Sequence, residues 1–210
     1  MLVIGAQGCA RSILEIFHQL NKVKGLCFYD DVTPNMPDLL YEQFEIISDI
    51  KEAEEYFSKT DNRFVLGVGG PTIRYTLSTK FAKIGGQLSS VISPKSEIGH
   101  YNTVIGKGSN IMTGVVITND VCIAEGCLIN VNCIIGHGSH IGKYSELTAG
   151  VHITGRCNIG EFCYLGTGCI VLPDIKIGNN VIVGAGAVVN SNIDDYQVVV
   201  GIPAKPIIKE

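Results

Sequence analysis

The sequence predicts an α/β domain with a small parallel sheet over residues 1–86, a left-handed parallel β-helix over 87–190, and a capping segment over 191–210. Three observations carry this: an aliphatic residue at every sixth position, small residues locked to a second phase of the same period, and alternating strand-like and helix-like segments ahead of that run.

The N-terminal part reads in order. Leu2 to Ile4 is a short apolar strand and Gly5-Ala6-Gln7-Gly8 a loop. Cys9 to Leu20 is a helix with Ile13, Leu14, Ile16, Phe17 and Leu20 on one side. Leu26 to Tyr29 is a second strand, ending in Asp30-Asp31. A helix follows around Asp49 to Phe57, a strand from Arg63 to Val68, a Gly69-Gly70-Pro71 turn and a helix from Thr72 to Lys83. Such alternation implies a parallel sheet.

From Ile105 to Val189, fifteen positions six residues apart are all Ile, Val or Leu. If about one residue in three were aliphatic, chance would produce this roughly once in ten million. The period predicts a triangular coil with three short strands per turn, the aliphatic residue inward and successive turns stacked. A β-sandwich, with period-two alternation and variable turn spacing, does not fit. The next residue is often Gly (Gly106, Gly136, Gly142, Gly160), which predicts a sharp corner with unusual backbone angles. The fifth position is small or β-branched, and Cys127, Cys133, Cys157, Cys163 and Cys169 all fall there. They are therefore read as reduced packing residues. Ile92, Ile98 and Val104 keep the period one residue out of phase, so a first coil with a one-residue insertion starts near Val91. The N-terminal half and Asn190 to Glu210 are the natural covers for the open ends of the stack.

A net charge of -4 with scattered basic residues gives no footprint for nucleic acid or an anionic membrane surface. With no basic and apolar leader and no run as long as a membrane span, the reading is a cytoplasmic protein whose partners are small ligands or other proteins.

Two places carry chemistry. The Gly5 to Gly8 loop aims backbone N–H groups and a helix N-terminus at an anion such as a phosphate, with Asp30 or Asp31 where an acidic residue binds a ribose or base. Without a full GxGxxG, a purely structural strand-to-helix turn is the other reading. In the repeat half stand His100, His137, His140 and His152. His137 takes the third, outward place of its hexad; solvated surface residues are the plain reading of all four, proton transfer the functional one. No metal site is expected.

The opening Val3-Ile4-Gly5-Ala6-Gln7-Gly8, the Tyr29-Asp30-Asp31, the hexads and the closing Val200-Gly201-Ile202-Pro203-Ala204-Lys205 resemble bacterial nucleotide-sugar acetyltransferases. That group includes bacillosamine and perosamine N-acetyltransferases and sialic-acid O-acetyltransferases. The resemblance implies a homotrimer with acetyl-CoA as co-substrate and a nucleotide-linked amino sugar at Gly5, Gly8, Asp30 and Asp31. It implies His137 as general base, Gly155 as a backbone oxyanion donor and Glu146 on the cofactor side. One departure is Gly138, where bacillosamine-type enzymes place a glutamate that orients the histidine; Glu146 or Asp120 is the substitute carboxylate to look for.

The leading expectation is N-acetylation of a nucleotide-linked 4-amino-4,6-dideoxysugar, ahead of O-acetylation of a sialic acid or other sugar hydroxyl, since an amine depends less on the base. A zinc β-helix enzyme of the carbonic-anhydrase kind needs three converging histidines. A non-catalytic nucleotide-sugar scaffold is the remaining class. A sugar nucleotidyltransferase is disfavoured by the short N-terminal half.

Overall fold

A computed structural model describes residues 1–207. The N-terminal sheet runs in the order β3-β4-β2-β1-β5-β6, with β1 Leu2–Ile4, β2 Cys27–Tyr29, β3 Leu39–Leu40, β4 Phe44–Ile47, β5 Arg63–Leu66 and β6 Gln87–Leu88. All pairings are parallel except β3 with β4. The helices are α1 Gly8–Gln19, α2 Ile50–Lys59 and α3 Pro71–Lys83. The strands and helices anticipated from the sequence are present with ends shifted by a residue or two; β3 and β4 were not anticipated. Their segment lies among exposed, polar and proline-containing stretches that mask a four-residue strand.

Beyond Val91 the chain winds into a left-handed β-helix of three stacked sheets, each rung two residues long. Rungs pair in parallel eighteen residues apart, as Ile111 with Ile129 and Ile135 with Ile153. The inward aliphatic residues from Ile111 to Val189 are at most 3 % exposed. The first coil starts at Val91, with Ile92 beside Ile111 and Ile98 beside Ile117. Val104, however, points out at 58 % exposure, and Ile105 takes the inward place beside Ile123. The extra residue therefore lies in the corner between Ile98 and Ile105, where it lengthens a turn without breaking a rung. At the far end Val198–Val200 joins the first sheet, and Lys205–Pro206 pairs with it antiparallel; residues 208–210 of the expected capping segment lie outside the described residues.

Two local devices set the period. The glycine after the inward aliphatic is not there for unusual angles, as the sequence had suggested: a Cβ on Gly136 would stand 2.6 Å from the Thr154 carbonyl carbon of the next coil, so the coils touch backbone to backbone. The left-handed positions come two residues later, at Gly138 (φ 67°) and also at non-glycine residues such as Arg156 (φ 59°). The small fifth-position residues donate to a carbonyl fifteen residues on: Ser139 Oγ to Thr154 at 3.0 Å, Ser145 Oγ to Gly160 at 2.8 Å, Cys133 Sγ to Thr148 at 3.0 Å, Cys163 Sγ to Gly178 at 3.0 Å. Serine and cysteine do the same work there. Burial pushes the thiols of Cys133 and Cys163 up to about 11 and those of Cys127 and Cys169 up to about 12.

The N-terminal domain and the β-helix share one hydrophobic core, in which Ala10, Ile13 and Phe17 of α1 join Val91, Ile111 and Met112 of the first coils. Arg74 of α3, fully buried, crosses the joint. Its guanidinium donates to Leu66 and Val68 carbonyls (3.2 and 2.9 Å) on one side and to those of Gly126 (2.9 Å), Gly108 and Cys127 (both 3.3 Å) on the other. Among the described residues no helix is long and apolar enough to cross a membrane.

Arg74→Met fills much of the same volume but takes the donor from the Val68, Gly108 and Gly126 carbonyls, and is expected to lower stability by about 3 kcal/mol or more; denaturant unfolding of the two proteins measures it. A thiol reagent on the native chain is expected to modify one cysteine rapidly, the exposed Cys122, with the buried thiols reacting only on unfolding. Several fast thiols would contradict the packing role.

Candidate active site

At β1 the sheet reverses direction, with β2 on one side and β5 on the other. Ligands of open α/β sheets bind at that switch point, beyond the carboxyl ends of the strands. A cavity of about 620 Å³ lies there, walled by Gly5, Ala6 and Gln7, by Asp30 to Thr33, by Gly67 to Gly69 and by α3. Gly5 is obligatory: its φ is 104° and a Cβ would stand 2.9 Å from the Gly67 carbonyl oxygen. Gly8 opens α1 outside the cavity lining, in space that would admit a side chain. Gln7 supplies no side-chain cap, and the N–H groups of Gly8 and Cys9 have no partner among the described residues. They form the positive end of a helix dipole beside the cavity.

The two aspartates divide. Asp30 is buried and accepts four hydrogen bonds, from Ala6 N–H (3.2 Å), Val32 N–H (3.2 Å), Thr33 N–H (2.9 Å) and Thr33 Oγ1 (3.0 Å), and so shapes the loop at the cavity wall. Asp31 lies at the rim with one oxygen bonded by Tyr29 Oη (2.9 Å) and Lys80 Nζ (2.7 Å) and the other unengaged among the described residues. Partial burial pushes the Asp31 carboxyl up, but the bonds from Lys80 and Tyr29 outweigh it and hold it below the usual carboxylate range. Burial, then the bond to Asp31, raises the Tyr29 phenol.

The second constellation is on the β-helix, at the corner between the second and third sheets. His137 is exposed there, with its carbonyl accepting from Arg156 N–H at 2.7 Å. Its ring lies over Gly155 one coil on: a Cβ on Gly155 would meet His137 Nε2 at 2.8 Å. Gly155 N–H donates to nothing among the described residues. A proton acceptor and a free backbone donor thus stand side by side at an open edge. The structure brings together these two residues and not Glu146, which faces the N-terminal domain from the first sheet and accepts from Gly70 N–H at 2.6 Å. Asp120 does share the corner stack, one coil before Gly138, but accepts from Asn102 Nδ2 at 2.9 Å. No side chain among the described residues hydrogen-bonds the His137 ring.

Two features at these sites escaped the sequence. Arg156 runs along the same corner, its Cγ 3.3 Å from where a Gly138 Cβ would stand, and makes a two-pronged bond to Asp174 (2.6 and 2.8 Å). The eighteen-residue spacing of Arg156 and Asp174 was the available signal. Arg74 had none, because its partners are carbonyls of residues up to 53 positions away. His140 and His152 lie on the third and second sheets, and no group of three metal-binding side chains occurs among the described residues.

Residues 1–81 match the family PglD N-terminal domain, and residues 156–191 match the family bacterial transferase hexapeptide (six repeats). Residues 1–81 thus carry a PglD-type N-terminal domain, and residues 156–191 carry hexapeptide repeats of the bacterial transferase kind. Among solved structures it is similar to the acetyltransferase domain of PglB from Neisseria gonorrhoeae, at 28 % identity and TM-score 0.88 over 98 % of both chains. The same domain in complex with acetyl coenzyme A matches at 26 % and 0.85, again over 98 % of both chains. PerB from Caulobacter crescentus, in complex with CoA and GDP-perosamine, matches at 25 % and 0.68 over 98 % of this chain and 96 % of that one. No curated protein matches in a sequence search.

Asp30→Ala removes the acceptor that folds the Ala6 and Thr33 loops together and is expected to lower stability by about 2–4 kcal/mol; Asp31→Ala is expected to stay within about 1 kcal/mol of wild type. Thermal unfolding separates the two.

Proposed function

We propose that the protein transfers the acetyl group of acetyl-CoA to the 4-amino group of a nucleotide-linked 4-amino-4,6-dideoxysugar. The observation that carries this reading is the His137 ring lying over Gly155, whose N–H is free. The complexes of the PglB domain with acetyl coenzyme A and of PerB with CoA and GDP-perosamine support the substrate classes.

The residues divide the work as follows. The diphosphate sits against the N–H groups opening α1 at Gly8, over the turn allowed by Gly5; Asp31 contributes its unengaged oxygen to the nucleoside, and Asp30 keeps the loop in shape. His137 accepts a proton as the amine nitrogen attacks the thioester carbonyl; the C–N bond forms, the C–S bond breaks and the thiol departs with a proton. Gly155 N–H donates to the oxygen that gains charge, without reorganisation at the moment of reaction. Direct transfer between two bound substrates needs no enzyme nucleophile, consistent with the five hexad cysteines being committed to the core.

Within one chain, the cavity adjoins the first sheet whereas His137 stands between the second and third. Beside His137, the outward row of the second sheet reads Val116, Ile134, His152, Ile170 and Val188, mostly apolar, with Ile134 39 % exposed. A homotrimer burying such rows brings one subunit's His137 to the cavity of the next, and this is the assembly we propose.

Thiol release from acetyl-CoA against a panel of UDP-, GDP- and dTDP-linked 4-amino-4,6-dideoxysugars tests the reading. Release is expected with an amine acceptor, and His137→Ala is expected to slow it roughly a hundredfold or more. Release with a sialic acid and with no amine would replace N-acetylation by O-acetylation.

A further inference from the structure

On the first sheet of the β-helix, Asn110, Leu128 and Glu146 are consecutive outward rungs in register. An outward row on a solvated β-helix is exposed; these three are 0 %, 1 % and 6 % exposed. They are covered by the connection from β5 to α3. Asn110 Nδ2 donates to the Leu66 carbonyl at 2.7 Å, Leu128 fills the middle, and Glu146 Oε2 accepts from Gly70 N–H at 2.6 Å. Arg74 adds its bonds to the Leu66 and Val68 carbonyls. The connection is thus held at residues 66, 68 and 70 from its outer side, while Gly67, Val68 and Gly69 form one wall of the nucleotide cavity on its inner side.

Glu146 is the member of this row that an apolar side chain would not replace. A buried carboxylate with one donor is costly by itself. Here it stands at the N-terminal end of α3, whose N-cap Gly70 has no side-chain cap and whose first residue is a proline, where the helix dipole favours a negative charge. Gly69 lies against it so closely that a Cβ would stand 3.2 Å from both carboxylate oxygens. The carboxylate thus packs directly on the cavity wall.

We propose that Glu146 is a positioning residue for nucleotide-sugar binding: it holds the Gly67 to Gly70 wall, so the β-helix sets the affinity of a cavity built by the N-terminal domain. This rests on reading the cavity as the nucleotide site, and it places Glu146 on the nucleotide side of the reaction and not on the acetyl-CoA side.

Calorimetric titration of the full chain with UDP, GDP and dTDP in turn, and separately with acetyl-CoA, tests it. Glu146→Ala is expected to bind the preferred diphosphate roughly tenfold or more weakly than wild type. Glu146→Gln, whose amide oxygen still accepts from Gly70 N–H, is expected within about threefold. Gly69→Ala leaves the carboxylate in place but crowds it, and is expected to weaken the same diphosphate, with the double variant losing less than the sum of the two. Acetyl-CoA affinity is expected to stay the same throughout. Amide exchange checks the fold: in Glu146→Ala, Gly69 and Gly70 are expected to exchange faster while the β-helix rungs keep their protection. If those rungs lose protection, Glu146→Gln and Gly69→Ala decide. Unchanged diphosphate affinity in Glu146→Ala overturns the inference alone, as does a Glu146→Gln as weak as Glu146→Ala, or a loss confined to acetyl-CoA. A wild-type chain that binds none of the three diphosphates overturns the reading of the cavity and the inference with it.

Discussion

One buried cation ties the molecule together. Arg74 has no carboxylate partner among the described residues; its guanidinium is satisfied by carbonyls of the N-terminal domain and of two successive β-helix corners. Burial depresses its pKa, yet an arginine starts so high that it stays charged where a lysine would give up its proton. Five donors in a rigid fork suit a site lined only by carbonyls. Because those carbonyls belong to both architectures, neither domain can shift without breaking charged hydrogen bonds in a dry place. The shared core around α1 and the Glu146 contact with Gly70 depend on that fixed relation.

The β-helix supplies the second constraint. Its coils touch backbone to backbone where a glycine follows the inward aliphatic, as at Gly136, Gly142 and Gly160, and fifth-position serines and cysteines such as Ser139 and Cys133 hydrogen-bond the next coil. Stacking at that separation puts residues eighteen apart directly over one another. That is why His137 meets Gly155, and why Arg156 reaches Asp174. At Gly138 a Cβ would stand 3.3 Å from Cγ of the Arg156 stem, so the missing side chain gives that stem room along the corner. The histidine is thus placed by coil geometry and not by a neighbouring carboxylate.

How much of this was legible in the sequence depended on the range of the interaction. The hexads set a local, repeating requirement, so the β-helix, its phase, the packing of the cysteines and the outward placement of His137 could be read directly. So could the order of β1, α1, β2, β5 and α3. The two aspartates could be located but not distinguished, because which one faces inward depends on a turn that Thr33 closes. The purpose of the hexad glycines was misread, since a close approach and a positive φ leave the same residue in a sequence.

The chain by itself determined the two architectures and the inward and outward faces of the regular coils, because each follows from periodicity or from side-chain chemistry over a few neighbouring positions. The tertiary structure decided that Glu146 faces the N-terminal domain and accepts from Gly70 N–H, that Asp30 accepts four hydrogen bonds from its loops while Asp31 keeps one oxygen unengaged among the described residues, and that Arg74 joins the domains. These depend on contacts that reach as far as 76 positions along the chain, many with backbone groups that every residue possesses and that therefore leave no mark in the sequence.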